Sequence, residues 1–150
     1  SEAALIGHGR VAQNIERTLI TMLLSGLHHS ESDDFIRQGQ GAAPYYVKRA
    51  EAFIHDQARD ELTVDEIADK AGVSARSLFY GFKRWRNTTP MAYVRDVRLD
   101  LARRELQKAR ISGGTVSEAA VNAGFTNFSQ FSKIYKARFG ETPSATLRAG

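Results

Sequence analysis

The stretch TVSEAAVNAGF at Thr115–Phe125 decides how this chain is read, because TVDEIADKAGV at Thr63–Val73 carries the same pattern. In each, a Thr stands three residues before a Glu. That spacing is a capping box, in which two side chains satisfy backbone N–H groups that the first turn of a helix leaves open. Gly72 and Gly124 then stand where a short helix ends. The copies align at an offset of 52 from Thr63 to Gly72, with Thr, Val, Glu, Ala, Ala and Gly identical. From Ser74 the offset is 53, and Lys83 matches Lys136, Thr89 Thr142, Pro90 Pro143, Ala92 Ala145 and Arg95 Arg148.

Moving outward, each short helix leads into a second capped one. Ser74 precedes ARSLFYGFKRWR and Asn127 precedes FSQFSKIYKARF, and each copy leaves through a Thr-Pro that opens a further helix. Two helices joined by a short Gly-containing turn form a helix-turn-helix. One such match is weak, since any helical hairpin can produce it. Two in register, with matching caps and exits, are far more specific.

The copies are joined by PMAYVRDVRLDLARRELQKAR, which carries two apolar stripes, Val94, Val97 and Leu101 on one and Leu99, Ala102 and Leu106 on the other. At about 100° per residue the stripes lie roughly a third of a turn apart, so one helix can pack on both units. The expectation is a connecting helix at about residues 91–108, roughly 27 Å long at 1.5 Å per residue, between units at about 45–90 and 110–148. Pro44 suits the first position of a helix through YYVKRAEAFIHDQA. Residues 30–44 are polar and aperiodic and read as a linker. Residues 3–28 read as one helix, with Val11, Ile15, Leu19, Met22 and Leu23 on a stripe. Within it LITMLLSGL (19–27) is apolar on nearly every side, and such a helix is normally buried. Residues 1–29 are therefore expected to be the tail of a preceding sensor or dimerisation domain, with a homodimer contact through residues 5–27. The fold class is all-α.

Composition narrows the function classes. The chain has no cysteine, which removes disulfides, thiolate catalysis and cysteine-based zinc sites. No apolar run is long enough to span a membrane, and the start has no signal-peptide pattern. It also lacks an initiator Met, as expected of a piece of a longer protein. Net charge is +4, unevenly spread: residues 1–44 hold three basic residues against five acidic, and the remainder 18 against 12. A basic surface favours a polyanion, although solvated helix faces look the same from sequence. No phosphate loop, metalloprotease motif or nucleophile elbow is present, so neither an enzyme nor a cofactor is expected. His28-His29 has no further ligands in a metal-binding arrangement.

Counting from the caps, Leu78, Phe82 and Trp85 point inward in the first copy and Phe131, Tyr135 and Phe139 in the second. That leaves Arg76, Ser77, Phe79, Tyr80 and Lys83 outward on one helix, and Ser129, Gln130, Lys133 and Lys136 on the other. A recognition helix reads bases with its N-terminal exposed residues. Arg76 suits a guanine and Gln130 an adenine edge. Phe79 and Tyr80 suit either a thymine methyl or the local core. Lys83, Arg84, Arg86 and Lys136, with the cap residues Ser74 and Asn127, are expected on phosphates, which position a protein without specifying sequence. Arg95, Arg98, Arg103 and Arg104 read as a solvated face of the connecting helix. Two rivals stay open: a helical protein-interaction module with an incidental basic face, and a non-specific nucleic-acid binder.

Residues 45–148 resemble the C-terminal DNA-binding domain of the AraC/XylS family of bacterial transcription regulators. The resemblance is carried by LTVDEIADKAGVSARSLFYGFKRW with TTPMAYVRDVRLDLARREL, and more specifically by GFTNFSQFSKIYKARFGETPSATLR. Gln130, where the family usually has an aromatic residue or His, and Leu147, where Tyr is usual, depart from its pattern. The resemblance implies a double helix-turn-helix, with Arg76, Phe79, Tyr80, Ser129, Gln130 and Lys133 at positions that touch bases. It also implies double-stranded DNA as partner, contact with RNA polymerase, a small-molecule effector bound by an upstream domain, and action in the bacterial cytoplasm.

Overall fold

The computed structural model describes residues 42–149, and among these it contains seven helices and no strand. They are α1 (Tyr45–Gln57), α2 (Val64–Ala71), α3 (Ala75–Arg86), α4 (Pro90–Ser112), α5 (Val116–Asn122), α6 (Phe128–Phe139) and α7 (Pro143–Arg148). The helix expected at 3–28, the proposed dimer contact at 5–27, the His28-His29 pair and most of the linker lie outside the described residues.

Local chemistry explains where the helices start. Six of the seven, α2 to α7, open on a side-chain cap: Thr63, Ser74, Thr89, Thr115, Asn127 and Thr142. Both capping boxes close. Thr63 Oγ1 accepts the Glu66 N–H at 3.2 Å while Glu66 Oε2 accepts the Thr63 N–H at 2.8 Å. The second copy repeats this with Thr115 and Glu118 at 3.2 and 2.7 Å. Pro44 caps α1 instead of sitting inside it, its carbonyl accepting the Val47 N–H at 3.0 Å. In the first turn between paired helices, Gly72 adopts φ 77°, a left-handed conformation that only glycine enters freely.

Packing produces two cores. Val47, Ala50 and Ile54 of α1 meet Ile67 of α2, Leu78 and Phe82 of α3, and Val94 and Val97 of α4. Leu99, Ala102 and Leu106 of α4 meet Ala119 and Ala120 of α5 and Phe131 and Tyr135 of α6. The two stripes of α4 thus serve different units, as their spacing implies. Leu101 is the exception, since it packs against both. The α4 helix has 23 residues and runs past the expected end at 108, because Ala109 is still buried and the chain reaches a left-handed glycine only at Gly113. At 1.5 Å per residue its length is about 34 Å, not the expected 27 Å.

The buried Tyr135 hydroxyl is satisfied. Thr146 Oγ1 donates to the Glu141 carboxylate at 2.7 Å, so the Tyr135 hydroxyl donates to Thr146 at 2.9 Å. In the first unit, Gly81 lies mid-helix in α3, where glycine costs helix stability. A Cβ there would fall 2.5 Å from the Tyr46 hydroxyl oxygen, so the bare backbone is what lets the Tyr46 ring lie against α3.

Two outcomes follow. Leu106→Ala removes a fully buried side chain from the second core, and should lower unfolding free energy by about 2–5 kcal/mol in urea titrations. The Glu66 and Glu118 carboxyls are held below the ordinary carboxylate range by the Thr63 and Thr115 hydrogen bonds they accept. A depressed folded pKa adds stability that is complete above the unfolded value and is lost as pH falls through the folded one. Glu66→Gln with Glu118→Gln keeps both boxes but removes the titration. Melting temperatures followed from about pH 6 to about pH 3 should therefore fall less steeply than in the parent chain.

Candidate nucleic-acid interface

The second helix of each unit, α3 or α6, presents a face set by its cap. Counting from Ser74, the exposed residues Arg76, Tyr80 and Lys83 follow an i, i+4, i+7 spacing, and from Asn127 the exposed residues Ser129, Lys133 and Lys136 repeat it. Leu78, Phe82, Phe131 and Tyr135 are fully buried on the opposite side. Phe79 and Tyr80 are 41% and 42% exposed, so they stand at the surface and do not complete the core. Trp85 and Phe139 are less interior than expected. Each is half-buried with a ring face covered by arginine, Arg84 over Trp85 at 5.6 Å and Arg103 over Phe139 at 4.6 Å.

Four of the expected contact residues are altered by local partners. Ser77 is buried at 8% exposure, and its hydroxyl accepts from Ser74 Oγ at 3.0 Å. It is part of the cap and is not on the outward face. Its counterpart Gln130 is exposed, so the two helices differ at the same position. Arg86 does not face outward as a free cation. Its Nε and Nη2 grip the Glu51 carboxylate, the second contact at 2.9 Å, and this pairing holds its proton more tightly than usual. The cap oxygens of Ser74 and Asn127 are committed to the N–H groups of Ser77 and Gln130. Any anion contact at these caps must use the backbone N–H or, at Asn127, the amide nitrogen.

The remaining cations sort by partner. Arg76, Lys83, Lys133 and Lys136 are exposed and enter no ion pair among the described residues. Arg138, also on α6, is held by Asp100 at 3.0 Å and Asp96 at 3.6 Å. Among the described residues, positive charge is thus left unmatched on the two outward faces and neutralised beside them. Sequence reasoning missed two neighbours. Phe128, 43% exposed, opens α6 beside Ser129. Arg95 lines one groove with Asn127 and Gln130. The alternation of α4 stripes marked Arg95 as outward but carried no sign that α6 stood next to it. Arg98, read as part of the same solvated face, is half-buried instead and donates to two backbone carbonyls.

Known proteins match this arrangement. A family model described as a helix-turn-helix domain matches residues 67–149. The chain is 35% identical over 129 residues to the probable thc operon regulatory protein of Rhodococcus erythropolis, covering 84% of this chain and 39% of that protein. It is 30% identical over 137 residues to XylDLEGF operon transcriptional activator 2 of Pseudomonas putida, covering 91% of this chain and 85% of that one. Among solved structures, a probable AraC family transcriptional regulator from Rhodopseudomonas palustris superposes with a TM-score of 0.66 at 33% identity, covering 71% of this chain and 97% of that one. A regulator with an AraC-type DNA-binding domain from Chromobacterium violaceum gives 0.63 at 28%, covering 68% and 88%. With two matched helix-turn-helix units, an interaction module with an incidental basic face is not favoured, and the chain belongs to the AraC/XylS family of DNA-binding transcription regulators.

Proposed function

We propose that this chain is the DNA-reading part of an effector-responsive transcription activator, with α3 and α6 entering two successive major grooves on one face of the duplex. One observation carries the reading: exposed side chains recur at the same positions of two capped helices, Arg76, Tyr80 and Lys83 on α3 and Ser129, Lys133 and Lys136 on α6. The length of α4, about 34 Å, suits the ~34 Å helical repeat that spaces paired half-sites. Arg76, Phe79, Tyr80, Ser129, Gln130 and Lys133 face the bases in this reading. Lys83, Arg84 and Lys136 face phosphates, joined by Arg95 and by the backbone at the Ser74 and Asn127 caps. The chain spans 39% and 41% of the length of two of its relatives and 85% of another, one of them titled an operon regulatory protein and two titled operon activators. A small-molecule domain upstream and contact with RNA polymerase belong to the same reading, as does action in the bacterial cytoplasm. Among the described residues no helix is long and apolar enough to cross a membrane.

Arg76→Ala, Gln130→Ala or Lys133→Ala should cost about 1–3 kcal/mol on the selected site and relax base preference at one position. Lys83→Ala or Lys136→Ala should weaken binding on all sequences alike and reduce the salt dependence by about one counterion. Titrations of selected against scrambled duplexes at two salt concentrations distinguish these patterns. An unchanged preferred sequence after Arg76→Ala would remove α3 from the reading face.

The segment 5–27, which includes the apolar stretch at 19–27, is proposed to pair with its own copy. Sedimentation of residues 1–150 should then give a dimer and residues 45–150 a monomer. Two monomers would end the dimer proposal.

A further inference from the structure

The two cores of the described residues share only Leu101, so apolar packing gives the units little direct hold on each other. Two arginines supply one. Arg98 of α4 donates through Nε to the Ala58 carbonyl and through Nη2 to the Asp60 carbonyl, both at 2.7 Å. Both acceptors belong to the first unit, in the segment between α1 and α2. Arg59, from that same segment, reaches the other way. Its Nη1 donates to the Asn122 carbonyl at the end of α5 at 2.7 Å, and its Nη2 to Glu105 Oε1 of α4 at 3.1 Å. Hydrogen bonds from a charged donor are roughly twice as strong as neutral ones.

Gly124 closes the junction. It adopts φ 91°, and a Cβ there would lie 3.0 Å from the Ala58 and Arg59 carbonyl oxygens and 3.2 Å from Arg98 Nε. The backbone of one unit therefore runs against the turn of the other with no room for a side chain between them. Burial makes the Arg98 guanidinium somewhat more acidic than usual, as expected for a charge held inside a junction. The Arg59 hydrogen bond in turn holds the Glu105 carboxyl below its ordinary range.

We infer that Arg59 and Arg98, seated against Gly124, clamp the two helix-turn-helix units into one rigid body and so set the half-site spacing the chain accepts. This rests on reading both units as DNA-binding heads. Moving one half-site by one base pair shifts it by about 3.4 Å and rotates it by about 35°. A clamped pair cannot follow that movement, whereas a pair joined only by a gently curving helix has more freedom to adjust. Neither arginine lies on the outward faces of α3 and α6, so both are positioning residues.

The chain has no cysteine, so Asp69→Cys and Ala137→Cys, both exposed sites, place one spin label on each unit. Mixed with excess unlabelled 150-residue chain, so that any dimer carries one labelled copy, the doubly labelled chain should give a single narrow distance. Adding Arg59→Ala with Arg98→Lys should broaden or split it while the helical circular dichroism stays unchanged. An equally narrow distance would overturn the clamp. Should that pair fail to fold, Arg59→Ala alone carries the same comparison, because its side chain is half exposed.

The second arm uses duplexes selected from a randomised library by the parent chain, with one or two base pairs then inserted or removed between the half-sites. The parent should lose at least about tenfold in affinity per step, and the clamp variant less than about threefold, with base preference inside each half-site unchanged. A variant as steep as the parent would overturn the role in spacing. A parent that selects no sequence would contradict the DNA reading, and the label distances would then decide the clamp alone.

Discussion

A helix can bury two of its faces only if its partners approach from different sides, and α4 meets that condition along its length. Val94 and Val97 serve the first core, while Leu99, Ala102 and Leu106 serve the second. Because both stripes belong to one helix, the angle between them sets how the two units are turned about its axis, and the Arg59 and Arg98 hydrogen bonds lie where that setting can be held. Substituting any of these five residues would disturb one core and, through α4, the direction in which the other unit's outward helix points. The fold thus has two hydrophobic interiors but a single orientation to maintain.

The parts of this fold that were legible in the sequence are those governed by neighbours along the chain. Thr63 and Glu66 lie three residues apart, so the capping box can be read before any tertiary contact is known. The same holds for Ser74, Asn127 and the Thr-Pro openings of α4 and α7. What stayed hidden depends on partners far away in sequence. Glu51, 35 residues from Arg86, takes that side chain out of the free charge. Ala58 and Asp60 occupy Arg98 from 40 and 38 residues away. Periodicity assigns a residue to a side of a helix, and it carries no information on what stands opposite. Ser77 escaped for another reason: its spacing marks the rim of the outward face, and the Ser74 hydroxyl draws it inward.

Formal charge is a poor guide to the interface for the same reason. Arg86 and Arg138 count toward the basic total but are matched by Glu51, Asp96 and Asp100. Arg84 and Arg103 lie over aromatic rings. Among the described residues, Arg76, Lys83, Lys133 and Lys136 are left without an ion-pair partner. Paired arginines are already partly desolvated and committed, so recruiting one to a phosphate would first require breaking its existing bond. The unpaired lysines carry no such cost.

The closed rear of α3 limits what can be varied there. At position 81 any side chain larger than hydrogen collides with Tyr46, and position 77 is filled by a hydroxyl tied to the cap. A library built to retarget this helix therefore has few free positions, chiefly 76, 79 and 80. On α6 the position equivalent to 77 is the exposed Gln130, so it adds a degree of freedom that α3 lacks. On the proposed reading, new specificities should consequently be easier to evolve through the second unit than through the first.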